Sequence, residues 1–318
     1  MKRLTLALLI AAIVAVSGCN SDVVAPPAEL APPSHVTFIT GTASIQIAWD
    51  ASPFASSDKF VGYNVYADTV SIAAVSDTSD AAFLEARLIN PAPLLNRSFT
   101  VDRLGNGAAL VEGMKYYIHV RTVRDDDRLS VASNEIDSAP RPVGDNNEEN
   151  NDDLLMYDFS FDTVTRSGYG WDRATGDGAA QPTAEVNADK IDFFMVEEAN
   201  SADDGSEFVS PAQASFTQGW AQSNKSLFKD LGSGDSAWET SIAPSVGDMT
   251  EKVKVNADHT YALYTHEGYW VKIRVTRFDK NVAVPKNGGG TVGLNRIAFD
   301  YAFQLIDDYG RFKPGAGL

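Results

Sequence analysis

Apolar and polar residues alternate along most of this chain with a period of two, as in strands with one face on a core and the other in water. Ile45, Ile47 and Trp49 alternate with Ser44, Gln46 and Ala48, and Tyr63 and Val65 alternate within Gly62-Tyr63-Asn64-Val65-Tyr66. Phe99 and Val101 mark a further short strand, and Tyr116, Ile118 and Val120 another. Separated by Gly, Pro, Asp and Ser, these runs predict a β-sandwich over 35–139. The alternation returns after Leu154. Tyr157, Phe159 and Phe161 form one set, and Ile191, Phe193 and Met195 a second. Tyr261 and Leu263 lead into His266-Glu267-Gly268, where glycine suits the left-handed position of a hairpin turn. Tyr269, Val271, Ile273 and Val275 come back on one face with Trp270, Lys272 and Arg274 on the other, and Ile297, Phe299, Tyr301 and Phe303 form the last strong strand. The polar stretches 172–188 and 200–250 read as loops or short helices. The expected fold class is all-β and antiparallel, with long loops in the second half.

The first residues follow a different pattern. Lys2 and Arg3 precede an apolar run, Leu4 to Val16, broken only by Thr5. The run is shorter than the ~20 residues a membrane span needs and fits a signal peptide over 1–18. Val16-Ser17-Gly18-Cys19 resembles a lipobox, which implies a diacylglyceryl group on Cys19 and a membrane as partner. Cys19 is the only cysteine in the chain, so lipidation leaves no thiol and stability is expected to rest on burial alone. Residues 19–32, with Pro26, Pro27 and Pro32, read as a tether; at ~3.1 Å per residue it reaches about 40 Å. Asn20, where inner-membrane retention would place aspartate, resembles outer-membrane sorting.

A chain of 318 residues, 44% apolar, accommodates two domains. Its formal charge of −17 repels nucleic acid phosphates, so nucleic acid is not expected as a partner. The run Asp145 to Asp153, DNNEENNDD, lacks any apolar residue and sits in an acidic linker over 141–153. Its oxygens are the right type for calcium, yet no glycine stands at the sixth position and no glutamate at the twelfth.

Residues 33–140 resemble a fibronectin type III domain through Pro33, Ile45-x-Ile47-x-Trp49, Gly62-Tyr63-Asn64-Val65-Tyr66, Leu104, Gly113-Met114-Lys115-Tyr116-Tyr117-Ile118-His119-Val120 and Ser130 to Ile136. The resemblance implies structural roles for Trp49, as core tryptophan, and for Tyr116, as a corner tyrosine bonded to backbone. Residues 154–318 resemble the HmuY-like haem-binding lipoproteins through Trp171-Asp172, Asp189 to Phe193, Tyr261 to Thr265, Tyr269 to Val275 and Phe299 to Gln304. That implies a surface cleft holding haem between axial side chains.

The residues test that implication. Haem iron takes axial His or Met. The chain has four histidines: His35, ahead of the first strand; His119, outward if Tyr116 points in; and His259 and His266 in the second half. The last two, seven positions apart, lie ~23 Å apart in extended chain on opposite faces, so they do not pair across one iron. His259 reads most simply as a strand-start residue and His266 as a turn residue; Met195 or Met249 could complete a His–Met pair. Trp220 and Trp238 stand in polar sequence, where they either line a sugar-stacking or apolar-ligand surface or fold inward. His-Glu-x-x-His, Gly-x-Ser-x-Gly and phosphate-binding glycine motifs are absent, and the Ser56/Lys59 and Ser226/Lys229 spacings lack their companion motifs. The expectation is a non-enzymatic, envelope-anchored binding or adhesion protein with haem, glycan or protein as ligand; a hydrolase is the weakest alternative.

Overall fold

The computed structural model describes residues 29–74, 80–146, 155–161, 165–197, 205–239 and 242–311. In the first half, β1 (Ser34–Gly41), β2 (Ser44–Asp50) and β4 (Ser98–Val101) form one antiparallel sheet, and β3 (Phe60–Asp68), β5 (Tyr116–Arg124) and β6 (Ile136–Ser138) form another. The alternating residues meet between them: Ile45, Ile47 and Trp49 from one sheet, and Tyr63, Val65, Tyr116, Ile118 and Val120 from the other. Trp49 packs edge-on against Tyr63 at 5.5 Å. The Tyr116 hydroxyl accepts a 2.8 Å hydrogen bond from the Val111 N–H and pins the preceding loop.

His119 alternates with Tyr116 and Ile118 and points away from this core, as expected. It lies on the outer face of β5 yet is buried. The segment with helix α1 (Ala81–Glu85), capped by the Asp80 carboxylate, covers that face and buries Leu84 against Tyr66 and Ile72. The Tyr66 ring lies 5.2 Å from His119, and Arg121 Nε donates to its Nε2. Burial, helped by the Arg121 charge, pushes the imidazole down to about 3, which keeps it neutral.

The second half also has two sheets. One runs in the order β10 (Gly178–Pro182), β9 (Arg166–Trp171), β11 (Phe193–Glu197), β12 (Ser206–Val209), β14 (Lys252–Val255). The other runs β13 (Leu227–Ser233), β15 (His259–Tyr264), β16 (Trp270–Pro285), β17 (Thr291–Phe303), β7 (Val143–Asp145), with β8 (Met156–Tyr157) also paired to β17. All recorded pairings are antiparallel. Val271, Ile273, Val275, Ile297, Phe299, Tyr301 and Phe303 face Tyr169, Trp171, Phe193, Met195 and Phe208 across the space between the sheets. At the expected hairpin, Gly268 has φ 93° and its N–H donates to the Thr265 carbonyl.

Several expectations change. The stretches read as loops contain β10, β12 and β13, whose sequences are too short or too polar to announce strands. Part of the acidic linker is strand: Asp145 opposite Asp300 places β7 on the edge of β17 that β16 leaves open, and Asn146 accepts from the Phe299 N–H. Residues 147–153 lie outside the described residues. Ile191 precedes β11 and packs with Phe194, opposite in face to Phe193 and Met195. In the run Tyr157 to Phe161, β8 ends at Tyr157, beyond which the Phe159 N–H donates to the Met195 carbonyl. The outer face of β16 is not polar surface, because Trp270 packs with Met249 and Ala262, and Lys272 is fully buried with Nζ donating to the Trp238 carbonyl at 2.8 Å. The end of the described chain returns to the first half, where Tyr309 donates to Asp137 and Arg311 pairs with it.

Tyr116→Phe is expected to lower stability by about 1 kcal/mol, since the Val111 N–H loses its acceptor. Urea denaturation of both forms checks it, and an unchanged midpoint would deny the tyrosine that role.

Candidate functional site

The outer face of β11 and β12 bears Phe194, Val196 and Val209, an apolar surface that has to be covered. Residues 210–224 cover it. The fold of this loop is set by local bonds: Thr217 Oγ1 donates to the Pro211 and Ala214 carbonyls, and the Trp220 N–H to the Thr217 carbonyl. It is fastened down where Asn224 Nδ2 donates to the Ile191 carbonyl at 2.9 Å and the Ala221 N–H to Glu185 Oε1 at 2.7 Å. Phe216 and Trp220 then meet Phe194 edge-on, at 4.9 and 6.0 Å between ring centres.

The rings continue outward from there. Phe216 stacks on Phe159 at 3.7 Å, and Phe159 meets Phe161 at 4.6 Å. Phe159, Phe161, Phe216 and Trp220 line a cleft of about 430 Å³ closed by Pro182, Thr183 and Ala184, with Ser160 and Thr165 alongside. Among the described residues, none that lines the cleft carries a charge. Phe161 is 81% exposed, so a ligand that covered it would gain part of the ~1.5–3 kcal/mol that burying a phenylalanine is worth.

Asp158 stands directly behind this wall. Its N–H donates to the Asn295 carbonyl, Oδ2 accepts from the Asn295 N–H at 3.3 Å, and Ser206 also bonds the carboxyl. Asp158 is buried, and Oδ1 has no hydrogen-bond partner among the described residues. Burial pushes the carboxyl up to about 7; Ser206 and Asn295 oppose this and the nearby Glu197 charge adds to it.

The structure separates the other expected site residues. Trp220 lies in the cleft. Trp238 does not: it ends helix α2 (Asp235–Trp238), is buried, and its ring covers Lys272 and Arg274, so it has no face for a ligand. His259 is half-buried at the start of β15, with Nδ1 2.9 Å from Asp230 Oδ2, whereas His266 is exposed in the hairpin turn beyond its other end. Met195 is buried between the sheets and Met249 against Trp270, so neither completes an axial pair. Among the described residues no group of three or more His, Cys, Asp or Glu could hold a metal ion. Cys19 lies outside the described residues. Phe159, Phe161 and Phe216 were not marked as site residues by the sequence; the first two read as core alternation, and only the isolated Phe216 beside Trp220 in polar surroundings offered a hint.

A second, polar cleft lies at the end of β9, where Arg173 bridges the buried Asp192 and Glu267 of the hairpin turn. Asp192 also accepts from the Trp171 N–H, so the guanidinium staples two segments to β9.

No family model matches the chain, and no curated protein is similar to it. Among solved structures, one titled a myokine structure is 21% identical over 35% of this chain and 98% of its own, with a TM-score of 0.23. A family 28 exopolygalacturonase from Yersinia enterocolitica is 19% identical over 34% of this chain and 20% of its own, TM-score 0.22. An α-L-rhamnosidase from Dictyoglumus thermophilum is 8% identical over 87% of this chain and 25% of its own, TM-score 0.29.

Because the folded state raises the Asp158 pKa from the ordinary 3.8 to about 7, it binds a proton that the unfolded chain releases. This group's contribution to stability is therefore full below pH ~4 and falls as pH rises towards ~7. Asp158→Asn is expected to abolish that fall: urea midpoints of variant and parent should diverge in the variant's favour between pH 4.5 and 7.5. A constant difference would mean that the carboxyl titrates in its ordinary range.

Proposed function

We propose that this chain is a lipid-anchored, extracytoplasmic, non-enzymatic binding protein whose ligand is an uncharged saccharide seated in the aromatic cleft. The anchor is the acylated Cys19, and the envelope location, in the outer membrane, follows from the same N-terminal motif. The first half acts as a fibronectin type III-like spacer. What supports that reading is the sorting of β1, β2 and β4 from β3, β5 and β6, with Trp49 between them and Tyr116 bonded to backbone. The second half, HmuY-like in sequence, carries the site.

The observation that carries the proposal is the four-ring wall with Phe161 left in solvent. The C–H face of a pyranose is weakly positive and complements the negative face of an aromatic ring. Among the described residues the polar side-chain groups of the lining are the hydroxyls of Ser160, Thr165 and Thr183 and the Trp220 indole N–H, which suits a neutral ligand and suits the propionates of haem poorly. Pockets of this size that are mainly apolar with a few polar groups are ordinary small-ligand sites.

Haem capture is the second reading, and one observation favours it. Asp230 holds His259 Nδ1, an arrangement that orients imidazole for a metal through Nε2. The opposing axial ligand would have to come from elsewhere.

Intrinsic tryptophan fluorescence against a panel of neutral oligosaccharides tests the first reading. Binding should change the emission, and Phe161→Ala and Trp220→Ala should each weaken it about tenfold (~1.4 kcal/mol). A Soret band with hemin that is lost in His259→Ala, with no response to any saccharide, would move the function to haem. Cys19→Ser should shift the protein from the detergent to the aqueous phase; an unacylated Cys19 on mass spectrometry of the native protein would remove the anchor.

A further inference from the structure

Thr183 brings to the cleft a hydroxyl that the fold leaves unspent. It follows β10, whose pairing shifts register between Gln181 and Pro182, and it lines the cleft together with Pro182 and Ala184. Its hydroxyl is buried and has no hydrogen-bond partner among the described residues. Ser160 and Thr165, the other hydroxyl residues of the lining, are each engaged in an interaction of their own. A buried hydroxyl without a partner is a standing cost to the free protein. Nothing in the packing requires that cost, since valine has the same shape without the oxygen.

We propose that Thr183 is the specificity residue of this cleft, its hydroxyl exchanging a hydrogen bond with a hydroxyl of the bound ring. The inference rests on the cleft being the ligand site. Thr183 has staggered alternatives about χ1, so its oxygen can be re-aimed without moving the backbone. Stacking on Phe159, Phe161, Phe216 and Trp220 holds a ring but is indifferent to where its hydroxyls lie, so discrimination has to come from a directed polar group. A site built around such a group penalises the ligand that lacks the matching hydroxyl, because the protein's own polar atom then stays unpaired.

Phenol and toluene test this, since they are neutral rings that differ by one hydroxyl. Trp220 emission, with saturation-transfer NMR as second readout, gives both affinities for the parent and for Thr183→Val. The parent should bind phenol about tenfold more tightly than toluene (~1.4 kcal/mol). Thr183→Val should bind toluene as the parent does and lose the preference, and its melting temperature should rise by about 2–4 °C as the orphan hydroxyl disappears. Equal affinities in the parent, a preference that survives in Thr183→Val, or a variant that melts lower than the parent would each overturn the assignment while leaving the cleft as a ring site. If neither probe binds the parent, the cleft reading falls and Thr183 with it.

Discussion

Packing of aromatic rings between the two sheets of the second half is the constraint on which the rest depends. Cys19 is the only cysteine, so no disulfide can brace the fold and burial has to hold it. Tyr169 meets Phe299 and Trp171 edge-on at 4.9 and 5.1 Å, and Trp171 stacks on Phe193 and Phe303. Phe193 in turn meets Phe208 at 5.0 Å. Side chains of this size fill the space between the sheets from both sides, and Tyr301 closes one end by accepting from the Gly178 N–H. Rings packed in this way fill the interior, and the aromatic cleft takes its place outside the sheets.

The outer face of the five-stranded sheet supplies that place. Phe193 and Phe194 are consecutive and so point to opposite faces: one belongs to the interior, the other roots the outward series through Phe216 and Phe159 to Phe161. The loop 210–224 is held by enough backbone and side-chain bonds to present Phe216 and Trp220 as a formed wall. Formed walls matter because a site that must first order itself loses affinity to that ordering. The chain is strongly acidic while the described residues that line the cleft are uncharged, and this contrast favours neutral ligands over anions.

How much could be read from the sequence follows from how far each feature is local. The strands β15, β16 and β17 were legible because their core faces repeat every second residue: Tyr261 and Leu263, Val271 to Val275, and Ile297 to Phe303 all face the interior. Trp49 lies in the core of the first half, and the Tyr116 hydroxyl accepts from the Val111 N–H. Period two says which residues share a face, but not what lies over the other one. Hence His119, Trp270 and Lys272 lie on faces turned away from the two main cores and are nonetheless buried, Trp270 with Met249 and Lys272 with its Nζ on the Trp238 carbonyl. Trp220 and Trp238 both stand in polar sequence, and only the tertiary path of each loop leaves the first on a cleft and folds the second over Lys272. The cleft itself is drawn from three separated segments, around 160, 183 and 218, so no local pattern announces it.

The most direct test of the central claim uses the five tryptophans as depth markers. In protein labelled with 5-fluorotryptophan, the ¹⁹F resonances of Trp49, Trp171, Trp238 and Trp270, all buried, should resist broadening by a soluble paramagnetic gadolinium chelate, whereas that of half-buried Trp220 should broaden. Broadening of Trp171 would reveal an open interior between the sheets, and protection of Trp220 would mean that its wall is closed to ligands. Either result would contradict a filled core with its binding surface on the outside.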